Sequence, residues 1–287
     1  MSASHVLAEP PPGAGADWTI DQGWSAYSAD DHAVWTTLYE RQTAMLPGRA
    51  CDPFLRGLDA LDLHRGGIPD FARINPELAR LTGWSVVAVP GLVPDAVFFD
   101  HLANRRFPAG RFIRDGAQLE YLQEPDVFHD VFGHVPMLTD PTFADYMQAY
   151  GKGGLRAERL DSLDHLARLY WYTVEFGLMR AADHSLRIYG AGIVSSRAES
   201  LFSLEAPSPN RLGFDLERVM RTPYRIDDFQ QVYFVIPSLE ALLAATLQDF
   251  GPLYRRLSAA SDLGIEDVLP TDAVITRGTQ AYARGKT

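Results

Sequence analysis

A carboxylate on an apolar helix face is the feature of this chain that most restricts how it can fold. The run LDHLARLYWYTVEFGLMRA, after Ser162, carries helical periodicity and reads as the longest helix of the sequence. Its Glu175 has Trp171, Tyr172, Leu178 and Met179 as same-face neighbours, all apolar. A charge there is costly unless it is paired or binds a metal. The ordinary partner would be Arg168, two turns earlier, or a residue not evident from the sequence; the alternative is an ion.

A second stretch supplies candidates for that ion. EPDVFHDVFGHVP, Glu124 to Pro136, sets His129 and His134 five residues apart at the end of a helix that Pro125 can start. Five α-helical steps turn a side chain by roughly 140°, against ~40° for four. Both rings reach one point only if the last turn opens, which Gly133 and Pro136 favour. Two ordinary histidines are the commoner outcome for such a pair. The setting among Val127, Phe128, Val131 and Phe132 raises the weight of a shared ligand role. Two histidines and one carboxylate form the facial set of non-haem Fe(II) sites, with coordination positions left open. Zinc accepts the same donors, so a zinc hydrolase is a competing reading. The usual helical zinc peptidase needs histidines four apart with Glu after the first, whereas Asp130 follows His129 here. A closed structural zinc site is disfavoured by the single cysteine, Cys51.

Composition narrows the rest. The 287 residues, 46% hydrophobic, suffice for a sizeable core. A net charge of −11 argues against nucleic acid as a partner. No apolar run approaches the ~20 residues of a membrane span, Pro90 and Glu240 interrupting the best candidates. One cysteine and no signal-peptide pattern point to the cytoplasm. The Pro-, Gly- and Ala-rich residues 1–16 read as a disordered lead-in, and 17–287 as one domain.

Helices are expected over Trp35–Leu46, over Ile74–Thr82 with Asn75 as N-cap and Pro76 first, over Val97–Ala103, and from points near Glu124, Pro141, Ser162 and Ser238. Short strands are expected in WSVVAV before Pro90, at Arg111–Ile113, at Leu186–Ile188 and at Val232–Val235. The fold class is therefore mainly α, an α+β domain with a few short strands, and no regular βαβ alternation.

Three segments, EPDVFHDVFGHVP, LYWYTVEFG and YGAGIVSSRAES, resemble the signature segments of the pterin-dependent aromatic amino acid hydroxylases, in that family's order and spacing. The similarity runs from about Trp35 to about Pro252. It implies a single catalytic domain of that family and the length of its short bacterial members. A monomer is implied, since the tail after Asp267 has no heptad pattern. By position, the resemblance makes His129, His134 and Glu175 the Fe(II) ligands and Arg114 the clamp on the amino acid carboxylate. Tyr121, Leu122 and Trp171 match pocket-wall positions, Leu122 and Gln123 standing where animal members have Thr and Pro. Ser195 and Ser196 match a serine position that supports a ligand histidine and the substrate carboxylate; by themselves they read as turn residues. For the tetrahydropterin, Phe98 matches a stacking aromatic, Gly91, Leu92 and Val93 the backbone along its edge, and Tyr170 a neighbour. Asp130 stands where many relatives have Glu, near the pterin and taking part in catalysis. Phe98 and Tyr170 are otherwise plain core aromatics.

What the resemblance implies is hydroxylation of L-phenylalanine to L-tyrosine, as in phenylalanine catabolism, using O2, Fe(II) and tetrahydrobiopterin or a relative. Trp171 stands where tryptophan hydroxylases have Phe, and Ile226 where tyrosine hydroxylases have an acid, so the resemblance favours phenylalanine and leaves tryptophan or tyrosine as the alternative substrates. A non-catalytic sensor of amino acid or pterin is a third possibility.

Overall fold

The computed structural model describes residues 9–63, 66–119 and 124–286 and divides the chain into two compact units. The first comprises residues up to Pro47 with Asp52–Arg156; the second, Gly48–Cys51 with Ala157 onward. The expected lead-in falls partly outside the described residues, at 1–8, as do the wall candidates Tyr121 and Leu122.

In the first unit, helix α1 (Ala29–Thr43) opens on a capping box. Ser28 accepts from the Asp31 N–H and the Asp31 carboxylate accepts from the Ser28 N–H. Its buried Trp35 and Leu38 carry the periodicity that marked the segment. Helix α2 (Asp52–Ala60) packs on the 3-10 turn Val135–Thr139 so closely that a methyl on Gly57 would lie 2.1 Å from the Pro136 carbonyl oxygen. Helix α3 (Phe71–Thr82) starts upstream of the expected point. Asp70 caps it and Pro76 is interior. Asn75, expected as the cap, instead brackets the Val86 backbone: its Nδ2 donates to the carbonyl at 2.9 Å and its Oδ1 accepts from the N–H at 2.7 Å. An Asn side chain serves any backbone within reach, and the sequence does not say which.

Strands β1 (Ser85–Val89) and β2 (Arg106–Gly110) pair in parallel, Val87 opposite Pro108, with α4 (Asp95–Ala103) between them. The strand expected at Arg111–Ile113 thus lies just upstream. A two-stranded sheet consists only of edges and so tolerates Pro108. The segment expected to be helical from Pro125 starts at Phe128 and is a π-helix through His134. Helix α5 (Pro141–Arg159) follows.

In the second unit, α6 (Leu163–Tyr170) passes into a π-turn, Trp171–Glu175, and stops. The long helix foreseen through Ala181 is therefore too long, and α5 exceeds it. A methyl on Gly177 would sit 2.2 Å from the Thr173 carbonyl oxygen, and Leu178–Arg180 form strand β3. Leu178 and Met179 are thus not helical neighbours of Glu175. Strands β3, β4 (Leu186–Ile188), β5 (Asn210–Gly213), β6 (Val232–Ile236) and β7 (Val274–Thr276) form one sheet in the order β4-β3-β6-β5-β7. Pairs β3/β6 and β5/β6 are parallel, β3/β4 and β5/β7 antiparallel. Helices α7 (Ala191–Val194), α8 (Arg197–Glu205), α9 (Leu216–Met220), α10 (Leu239–Thr246), α11 (Gly251–Ala259) and α12 (Ala281–Arg284) surround it. The mainly helical class with short strands is as expected. Among the described residues, no helix is long and apolar enough to cross a membrane.

Candidate metal centre

The spacing of the two histidines is resolved by the helix that carries them. A π-helix closes i→i+5 rings, so each turn takes in one residue more than an α-helix and residues five apart return to nearly one face. The apolar residues of the same motif hold that geometry. Phe128 and Phe132 stack with centroids 4.7 Å apart. Trp35 meets Phe128 edge-on at 5.2 Å, and Tyr39 and Phe54 each meet Phe132 at 5.7 Å. His134 is buried against Phe107, ring centroids 4.8 Å apart.

The two Nε2 atoms face one another at 3.2 Å across nearly perpendicular rings (85°). Two neutral imidazoles meeting through lone pairs repel, so the arrangement calls for a proton or a cation. The ligating atoms of His129, His134 and Glu175 all lie within 4.8 Å of one another, a group that can hold a metal ion. Two imidazole nitrogens and one carboxylate oxygen are the donor set of non-haem Fe(II), and zinc takes them as well.

Glu175 ends the π-turn of the second unit. Arg168, the ordinary partner considered for Glu175, makes a two-point ion pair with Asp262, at 2.6 and 2.9 Å. The glycines of YGAGIVSS give Glu175 its room. A methyl on Gly190 would lie 2.4 Å from the Glu175 carbonyl oxygen, and one on Gly192 would lie 3.2 Å from Glu175 Oε2 and 2.9 Å from Phe176 Cζ. Ser195 donates to the Ala191 carbonyl at 2.7 Å, and Ser196 caps α8 by accepting from the Glu199 N–H.

Sequence reasoning missed Asp126. It is fully buried, and its two oxygens accept four N–H groups: Oδ2 from Arg114 N at 3.0 Å and Nε at 2.8 Å, Oδ1 from Arg114 Nη2 at 2.9 Å and His129 N at 3.0 Å. Burial pushes its carboxyl up, yet the Arg114 hydrogen bonds and charge, with the N–H groups, outweigh that and hold it below the ordinary value. One side chain thereby fixes both the guanidinium of Arg114 and the start of the π-helix. An Asp just before a helical run is an N-cap signal that could have drawn attention to it.

Asp130 accepts from the Gly110 N–H at 2.8 Å, at the end of β2. Gly91, Leu92 and Val93 form the half-buried connection from β1 to α4, and Phe98 is half-buried on α4, edge-on to Phe99 at 5.8 Å. Tyr170 and Trp171 are half-buried where α6 becomes the π-turn. Elsewhere in the second unit Glu199 is buried; loss of water pushes its carboxyl up to about 7, although hydrogen bonds from Tyr233 and the Gln230 N–H work the other way.

The chain matches the model of the biopterin-dependent aromatic amino acid hydroxylases over residues 24–259. It is 73% identical over 283 residues to the phenylalanine-4-hydroxylase of Caulobacter vibrioides, covering 99% of this chain and 96% of that protein. The phenylalanine-4-hydroxylase of Ralstonia nicotianae is 62% identical over 264 residues, 92% of this chain and 84% of the relative. Among solved structures, the iron- and phenylalanine-bound phenylalanine hydroxylase of Chromobacterium violaceum superposes with a TM-score of 0.87 at 55% identity, covering 92% and 96% of the two chains. The cobalt-bound form of that enzyme gives 0.88 at 57% identity, covering 90% and 93%.

Proposed function

Because the chain belongs to the biopterin-dependent aromatic amino acid hydroxylase family, we propose that it hydroxylates L-phenylalanine to L-tyrosine, with ferrous iron, a tetrahydropterin and O2. The observation that carries this reading is the convergence of His129, His134 and Glu175 within 4.8 Å. These three residues would hold the iron. Iron and reduced pterin together supply the two-electron activation of O2 that attack on a benzene ring needs and that no side chain can provide.

The remaining assignments concern what this chain's own residues do. Asp126 occupies the Nε–Nη2 edge of Arg114. Among the described residues no hydrogen bond to the Nη1 edge is formed, and we assign that edge to the amino acid carboxylate. Trp171 forms a wall of the side-chain pocket, with Tyr121 and Leu122 as further wall residues. Ser195 and Ser196 support the carboxylate end of the substrate. Phe98 stacks on the pterin, Gly91, Leu92 and Val93 run along its edge, and Tyr170 lies beside it. Asp130, aligned by the Gly110 N–H, orders water on the pterin side. Residues 17–287 are assigned to the catalytic domain, and the protein to the cytoplasm as a monomer without nucleic acid partners.

Reconstitution tests this directly. Metal-free protein given ferrous iron, tetrahydropterin, phenylalanine and air is expected to produce tyrosine and consume oxygen. Zinc-loaded protein is expected to do neither. Absence of tyrosine with iron bound refutes the reading, and hydrolase activity with zinc would favour the competing one. Supplying tryptophan or tyrosine in place of phenylalanine, with product analysis, settles the substrate.

A further inference from the structure

The indole of Trp171 is held from three directions. Tyr224 stacks on it with ring centroids 4.3 Å apart and planes 14° from parallel, and Phe176 lies 4.7 Å away at 33°. Its Nε1 donates to Oε1 of Gln230 at 2.9 Å. Gln230 is 3% exposed, and its amide can point only one way. Nε2 donates to the carbonyls of Arg225 at 2.9 Å and Asp228 at 3.2 Å, so both amide hydrogens meet acceptors and the oxygen remains for the indole. The flipped amide would set N–H against N–H and leave two carbonyls unserved.

The loop that carries Gln230 is itself anchored. Asp228 Oδ1 accepts from Tyr282 Oη and from Lys286 Nζ, both at 2.8 Å. Phe229 stacks on Phe202 with centroids 4.4 Å apart. A ring fixed by stacking alone can slide and rotate in its own plane. The hydrogen bond removes that freedom, because it is directional and falls off steeply with angle.

We propose that Gln230 is a positioning residue that sets selectivity for phenylalanine over tryptophan by fixing the in-plane orientation of the Trp171 indole. The inference rests on the assignment of Trp171 to the pocket wall. With Gln230 replaced by an apolar residue, the indole N–H turns away in search of another acceptor and the wall moves. A larger side chain is then admitted, and the smaller one is held less well.

The test is a double-mutant cycle on the iron-loaded enzyme, reading kcat and KM for phenylalanine and for tryptophan. Gln230→Leu is expected to lower the phenylalanine-to-tryptophan ratio of kcat/KM about tenfold, chiefly through KM for phenylalanine. In a Trp171→Phe background the same change is expected to move that ratio less than about twofold, since no indole N–H remains to be positioned. An unchanged ratio in Gln230→Leu, or an equal loss in both backgrounds, overturns the proposal; the latter would make Gln230 a prop for the loop only. A second readout needs no turnover. The Trp171 indole N–H resonance in 15N-labelled protein, identified by its loss in Trp171→Phe, is expected to exchange with water at least about tenfold more slowly than free indole. Exchange as fast as free indole overturns the proposal even if Gln230→Leu does not fold. Should the unmodified enzyme make no tyrosine, the functional reading fails, while slow indole exchange would still confirm the hydrogen bond.

Discussion

Replacing Asp126 by Asn changes one atom, yet the structure assigns it a large effect. Each carboxylate oxygen accepts two N–H groups, at 2.8–3.0 Å, in a site without exposure to water. An Asn in either amide orientation turns one oxygen into NH2, so two donors always face a donor. Two hydrogen bonds to a charged acceptor are lost, each worth about 1.5–3 kcal/mol, and the guanidinium of Arg114 stays buried without its counter-charge. Relaxation recovers part of this, leaving a destabilisation of about 4 kcal/mol. At about 2 °C per kcal/mol for a chain of this size, the melting temperature falls by about 8 °C. Calorimetry on metal-free Asp126→Asn protein measures this without contribution from iron binding. Because the same carboxylate caps the π-helix at the His129 N–H, ferrous affinity and the phenylalanine KM should worsen together. A melting temperature within 2 °C of the unmodified protein (about 1 kcal/mol) with unchanged KM would refute the four-donor account.

Glu199 makes stability fall with rising pH. Its carboxyl, raised from 4.5 to about 7 by burial, keeps a proton in the folded state that the unfolded chain has released. The folded state therefore binds more protons across that window, and stability drops by up to about 3 kcal/mol between those values and levels off above them. Glu199→Gln should flatten this slope, as read from urea midpoints at acidic and alkaline pH; an unaltered slope would assign it to other groups. Gly192→Ala should weaken ferrous binding about 10–100-fold by crowding Glu175 Oε2 and Phe176, measured by iron titration of metal-free protein. Arg114→Lys retains a charge opposite Asp126 but loses the planar fork. It should raise the phenylalanine KM about tenfold with kcat little changed, whereas an effect confined to kcat would contradict a carboxylate-binding role.

The primary structure alone supplied the candidate donors of the centre. A carboxylate beside Trp171 and Tyr172 is costly unless it is paired or binds a metal, and two histidines among Val127, Phe128, Val131 and Phe132 could complete a set for iron or zinc; the family resemblance chose iron. The mainly helical class followed equally from periodicity. Both arguments read residue type and spacing within single segments, where each segment's own pattern is written in the sequence. Tertiary structure alone decided the rest. The five-residue histidine spacing works because packing on Trp35, Tyr39 and Phe54 accompanies a π-helix that no local pattern marked. The long helix ends at Glu175 because Gly177 permits close approach to the Thr173 carbonyl. The role of Asp126 is not legible in the sequence because it depends on Arg114 twelve residues away, nor is that of Gln230, whose partner Trp171 is fifty-nine away. Directional contacts between distant residues leave no period in a sequence; they exist only once the chain has folded.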